Sequence, residues 1–206
     1  MNFYLVDFPM TTISKKFRIA LFASGEGSNA EAIVRYFANN PTIEVALMVC
    51  NRKEAGVYER MQKWGIPCHT IGKTEWQPGS SGQQVLDLMR SEGISLIVLA
   101  GFLAYIPEAI VKTYEGRIIN IHPSLLPKYG GKGMWGHHVH EAVLAVHETV
   151  SGITIHHVTE NLDEGSIIFQ AQCEVLPDDT PDSLAARIHK LEHAHYPRVV
   201  EQIAMK

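Results

Sequence analysis

The chain has 206 residues, 46% of them hydrophobic, a formal net charge of −4, and 18 lysines and arginines scattered along it rather than gathered on one segment. That length suffices for one substantial core, and the dispersed charge argues against a nucleic-acid surface, leaving small molecules as the expected partners. Cys50, Cys68 and Cys173 are odd in number and far apart, which suits reduced thiols in a cytoplasmic protein better than a disulfide framework, and no apolar run is long enough to span a bilayer.

Residues 1–16 (MNFYLVDFPMTTISKK) have no charged start, no sustained apolar run and no small-residue cleavage pattern. They read as a poorly ordered leader, not a signal peptide, ahead of a single domain over 17–206. From there, short β-rich apolar runs alternate with helical periodicity. Phe17–Ala23, Ile43–Cys50, Cys68–Ile71, Ser95–Ala100 and Arg117–Ile121 read as strands with little polar alternation, as in a parallel sheet covered on both faces. Asn29–Ala38, Gly56–Trp64 and Gln83–Glu92 have helical spacing between them. The second half departs from this alternation. Trp135–His147 reads as a helix, Ser151–Val158 and Ser166–Leu176 as two antiparallel strands, and Leu184–Met205 as a closing helix behind the turn-like DDTPDS. The expected fold is a doubly wound, mostly parallel, Rossmann-like α/β sheet with an antiparallel C-terminal extension, in which ligands sit beyond the carboxyl ends of the strands.

Directly after the first strand comes Ser24-Gly25-Glu26-Gly27-Ser28-Asn29-Ala30. Glycines allow a tight turn and close approach to an anion, while the helix amides and the Ser28 hydroxyl can donate to phosphate oxygens. The stretch also fits the dinucleotide fingerprint Gly-x-Gly-x-x-Ala, but Asn51-Arg52 stands where that fingerprint expects an acid for the ribose. The alternative reading of the stretch is an ordinary strand-to-helix turn.

The fifth strand ends in Asn120-Ile121-His122-Pro123-Ser124-Leu125-Leu126-Pro127. Residues two apart share a face of a strand, so Asn120 and His122 point together while Ile121 turns to the core, and Pro123 holds His122 extended. An amide donor beside an imidazole suits acyl transfer, where negative charge grows on a carbonyl oxygen. A nearby carboxylate would favour the imidazolium, and Asp163 in Asn161-Leu162-Asp163-Glu164-Gly165 is the candidate. Spacing alone does not bring Asp163 to His122, and an isolated His-Pro step is more often a structural turn.

Together with Leu99-Ala100-Gly101-Phe102-Leu103 before it, and Gly152-Ile153-Thr154-Ile155-His156 and Leu162-Asp163-Glu164-Gly165 after it, the Asn-Ile-His-Pro-Ser-Leu-Leu-Pro segment resembles the phosphoribosylglycinamide formyltransferase family of de novo purine synthesis. The likeness runs from Phe17 to the C-terminus. It implies transfer of a formyl group from 10-formyltetrahydrofolate, as co-substrate, to the amine of glycinamide ribonucleotide, with no metal. It implies that Asn120, His122 and Asp163 are catalytic and that His156 supports Asp163. Gly27, Ser28, Asn29 and Glu192 would hold the ribonucleotide, and Leu103, Ala104, Tyr105 and Ile106, with Asn120, would hold the folate. Residues 17–116 would then be the phosphate-binding half and 117–206 the folate-binding and catalytic half of a cytoplasmic monomer or homodimer. Two places depart from the family: Ala104-Tyr105 stands where an arginine is common, and Trp76–Gln84 offers no basic residue for the folate tail. The glycine-rich loop Lys128–Gly136 reads equally as a mobile lid over the site or as a plain surface loop.

Rival readings rest on weaker signals. His137, His138 and His140, with His156-His157 and His193-Ala194-His195, invite a metal site, yet no acidic partner follows zincin spacing. A pyridine-nucleotide sensor would use the glycine loop and ignore His122. Methionyl-tRNA formyltransferase and formyltetrahydrofolate deformylase share the Asn-x-His…Asp pattern but carry further domains, and the phosphate loop with Glu192 suits the purine substrate better than a sugar nucleotide.

Overall fold

A computed structural model describes residues 16–206, so the leader expected over 1–16 lies, apart from Lys16, outside the described residues. Seven strands form one sheet: β1 (Phe17–Ala23), β2 (Ile43–Cys50), β3 (Cys68–Thr70), β4 (Leu96–Leu99), β5 (Ile118–His122), β6 (Val150–His157) and β7 (Ile167–Glu174). Their order is β3-β2-β1-β4-β5-β6-β7. The pairs among β1 to β5 are parallel, and β6 and β7 add on antiparallel. Among the described residues six α-helices accompany them: α1 (Ser28–Phe37), α2 (Val57–Lys63), α3 (Gln83–Ser91), α4 (Glu108–Thr113), α5 (His137–Ala145) and α6 (Pro181–Ala204).

The parallel strands lack polar alternation because both their faces are covered. Along β1, Ile19, Leu21 and Ala23 enter one apolar layer with α1 and α6, while Ala20 and Phe22 enter the other with α3 and α4. On β5, Ile119 and Ile121 face the first layer and Ile118 the second. Asn120 and His122 therefore share the Ile118 face at the strand's carboxyl end. From α6, the fully buried Tyr196 reaches across the first layer, its hydroxyl donating to the Leu99 carbonyl at 2.9 Å and lying 3.3 Å from that of Ile119. One phenol thus ties the closing helix to the β4–β5 seam.

The expected elements are all present, with ends displaced by a few residues. The closing helix begins at Pro181 rather than Leu184, because Thr180 and Ser183 form a reciprocal capping box and Pro181 supplies a preset first turn. The six-residue α4 and a 3-10 turn at Lys73–Trp76 have no counterpart in the sequence reading, being too short for periodicity to register.

Gly165 fixes how the chain enters β7. A Cβ there would fall 1.7 Å from the His157 carbonyl oxygen. Gly165→Ala is expected to cost about 1–3 kcal/mol by forcing this contact apart, read as a fall in thermal midpoint of several degrees. An unchanged midpoint would show that the segment yields freely.

Candidate active site

Three loops meet beyond the carboxyl ends of the central strands. The first follows β1. Gly27 caps α1 in a left-handed conformation (φ 74°), and a Cβ there would lie 2.3 Å from Val57, so no larger residue fits. Asn29, in the first turn of α1, is buried and donates to Glu192 Oε2 at 2.9 Å, and the His189 ring donates to the same oxygen through Nδ1 at 2.8 Å. A carboxylate as buried as Glu192 needs such donors. The pairing in turn raises the His189 pKa.

The second loop follows β4. Its Leu103 amide donates to the Ser24 hydroxyl at 2.8 Å, and the Ser24 amide donates to the Gly101 carbonyl at 3.0 Å, so the glycine loop and the Leu103–Ile106 segment are stapled together. Leu103 and Tyr105 are exposed, Ala104 is half-buried and Ile106 is buried.

The third carries the polar cluster. Asn120 lies opposite His156 in the β5–β6 pairing, and its amide nitrogen donates to His156 Nε2 at 3.2 Å. His156 donates through Nδ1 to the His157 carbonyl at 2.9 Å, leaving Nε2 as the acceptor. Burial lowers the His156 pKa, which suits this neutral form. Asp163 approaches both rings, with Oδ2 3.7 Å from His122 Nδ1 and Oδ1 3.6 Å from His156 Nε2. Its side chain is only 8% exposed, and Oδ2 also accepts from the Gly131 amide at 2.9 Å. His122 Nε2 donates to the Tyr129 carbonyl at 2.7 Å. His122 and Asp163 thus lie together, and Asn120 joins them through His156, which stands against both Asn120 and Asp163.

This arrangement can place two N–H donors and one anion around a small carbonyl group. The Ser24 hydroxyl, the Tyr129 carbonyl and the Gly131 amide were not singled out in the sequence. Backbone groups carry no residue-type signal, although the glycine run at 130–131 marks the close approach. Of the other histidines, His137 and His138 form surface pairs, with Asp182 at 3.2 Å and Glu141 at 3.5 Å. Among the described residues, no three His, Cys, Asp or Glu side chains gather as a metal set.

The formyl transferase family model matches residues 17–200. A phosphoribosylglycinamide formyltransferase of Bacillus subtilis is 40% identical over 191 residues, covering 92% of this chain and 94% of that protein. The chain belongs to the phosphoribosylglycinamide formyltransferases. The chloroplastic member of this family from Arabidopsis thaliana is also 40% identical, over 189 residues, and the match covers 90% of this chain but 65% of that longer protein. The crystal structure of the Anaplasma phagocytophilum phosphoribosylglycinamide formyltransferase superposes with a TM-score of 0.84 at 34% identity, covering 93% of this chain and 88% of that one. Membership makes this chain a one-carbon transferase acting on small molecules. Among the described residues no helix is long and apolar enough to cross a membrane.

The buried His140 of α5 has an Nδ1 with no hydrogen-bond partner among the described residues. Burial pushes its pKa down to about 4. An unfolded histidine protonates near 6.5, so unfolding takes up a proton between these values and stability falls as pH drops through that window. Burial of His156, His157 and His193 acts in the same sense, and the Glu192-paired His189 acts against it. His140→Leu is expected to remove on the order of 2 kcal/mol of the stability lost between about pH 7 and about pH 4.5. Urea unfolding at both values checks this, and an equal loss in variant and parent would contradict it.

Proposed function

We propose that Asn120, His122 and Asp163 carry out the formyl transfer of this family, moving the formyl group of 10-formyltetrahydrofolate to the amine of glycinamide ribonucleotide. The observation that supports this best is the Asp163 carboxylate standing within 4 Å of His122 and His156 at once, while His156 orients the Asn120 amide.

The amine nitrogen bonds to the formyl carbon, and charge builds on the formyl oxygen. Asn120 has one amide hydrogen left after serving His156, and in this reading that hydrogen donates to the oxygen. The imidazolium of His122 donates to it from the side facing Asp163, whose charge compensates the ring. Donors fixed in advance for a developing oxyanion are worth about 3–4 kcal/mol each in a water-poor site. As the tetrahedral adduct collapses, the bond to the folate nitrogen breaks and the proton shed by the amine ends on that nitrogen. No covalent enzyme intermediate and no metal is required.

The ribonucleotide phosphate is assigned to Gly27, Ser28 and Asn29 at the start of α1, with Glu192 reading the nucleotide beside them. The folate ring is assigned to Leu103, Ala104, Tyr105 and Ile106, next to Asn120. Both halves of the domain then contribute to one site. The phosphate loop and the Leu103–Ile106 segment come from 17–116, and the catalytic strand and Glu192 come from 117–206. A cytoplasmic monomer or homodimer fits this role, since each chain holds every assigned group.

With glycinamide ribonucleotide and 10-formyltetrahydrofolate, turnover followed by the deformylated folate chromophore is expected to fall by about 100-fold or more in His122→Ala, Asp163→Asn and Asn120→Ala, with intact folding. Near-normal turnover in His122→Ala would overturn the mechanism. Equal activity on a free sugar nucleotide would overturn the substrate.

A further inference from the structure

The hydrogen bond from His122 to Tyr129 decides which ring nitrogen works. A carbonyl oxygen only accepts, so the 2.7 Å contact puts a proton on Nε2 and leaves Nδ1, 3.7 Å from Asp163, to face the reaction. The Tyr129 carbonyl is itself held by side chains away from the pocket. The Tyr129 phenol donates to Glu148 Oε1 at 3.0 Å, and Lys128 Nζ reaches the same oxygen at 2.7 Å. The Ser124 hydroxyl holds the Lys128 carbonyl at 2.7 Å. Lys128 and the Tyr129 phenol together hold the Glu148 carboxyl below the usual carboxylate range, so it stays an acceptor.

Backbone conformation marks the same group of residues. Among the described residues the non-glycine positions with positive φ are Tyr129 (57°), His147 (53°) and Asp163 (58°). They are, in turn, the residue whose carbonyl holds His122, the residue just before Glu148, and the acid facing His122. Left-handed backbone is disfavoured for residues with side chains and persists where the surroundings over-determine it, often at working sites. The turn between them is packed to its limit, since a Cβ on Gly130 would fall 2.6 Å from Leu126 and 3.3 Å from the Asp163 Cβ.

We propose that Glu148 and Tyr129 are positioning residues that set the orientation of the His122 ring, Nε2–H toward the Tyr129 carbonyl and Nδ1 toward Asp163, from outside the pocket. Glu148 fixes the phenol, the phenol fixes the strained Tyr129 backbone, and its carbonyl accepts the Nε2 proton. This rests on the reading of His122 as the donor to the formyl oxygen.

The test uses Tyr129→Phe and Glu148→Gln in the whole enzyme, with the ring nitrogens of His122 followed by 15N NMR and assigned with His122→Gln. Both variants keep the bulk of the side chain, and a thermal midpoint near the parent's verifies folding. The expected result is a fall in kcat of about ten- to 100-fold, with KM for both substrates nearly unchanged. The Nε2 signal of His122, that of a protonated and hydrogen-bonded nitrogen in the parent, should shift and broaden as its carbonyl partner loosens. Parental kcat in both variants would overturn the proposal, as would a loss of kcat with unaltered ring signals, since the loss would then arise by another route. His122→Ala separates the two failures. If it is inactive while these variants are normal, the positioning role alone falls, whereas an active His122→Ala removes the mechanism beneath it.

Discussion

A carboxylate withdrawn from water must be compensated, and in this protein that requirement falls on Asp163. Its side chain is 8% exposed, and two imidazoles and a backbone amide surround it. These partners come from three separate segments: β5 supplies His122, β6 supplies His156, and the glycine-rich turn supplies the Gly131 amide. The Gly131 amide donates to the carboxylate directly, whereas His156, which accepts at Nε2, lies beside it without compensating it; an unpaired buried charge costs several kcal/mol. Stability and the proposed chemistry therefore draw on the same contacts, and the turn between the antiparallel strands β6 and β7 brings the acid to His122.

The parallel half of the sheet supplies a rigid rim. Strand β5 presents Asn120 and His122 on one face, and Tyr196 pins the adjacent β4–β5 seam from behind. The Ser24 hydroxyl joins the loops after β1 and β4, which keeps the proposed phosphate and folate segments in fixed relation. On the far side, Asn29 and Glu192 close the gap between the first helix and the last. A transfer between two bound substrates depends on their mutual placement, and small displacements are costly in rate. That accounts for a site assembled from hydrogen bonds between elements distant in sequence.

Much of this was legible in the sequence because it follows simple periodicities. The apolar runs gave the parallel strands, and the two-residue period put Asn120 and His122 on one face with Ile121 in the core. The glycine loop was readable because Gly27 alone fits its turn. Other features had no signal to read. Nothing local to Asp163 reveals His122, since their meeting depends on β6 pairing with β5 and on a left-handed residue where most side chains resist it. The bond between His156 and Asn120 is a matter of register. The Tyr129 carbonyl is invisible in principle, because every residue carries one. Helix α4 was missed because six residues hold fewer than two turns.

The central claim is that His122 and Asp163 act as one unit on the oxygen that gains charge. A double-mutant cycle on kcat, built from His122→Ala, Asp163→Asn and the pair together, measures this directly. The account predicts strong non-additivity, with the double variant scarcely slower than His122→Ala alone. Fully additive losses would show that the acid serves the reaction independently of the ring, and would contradict the account.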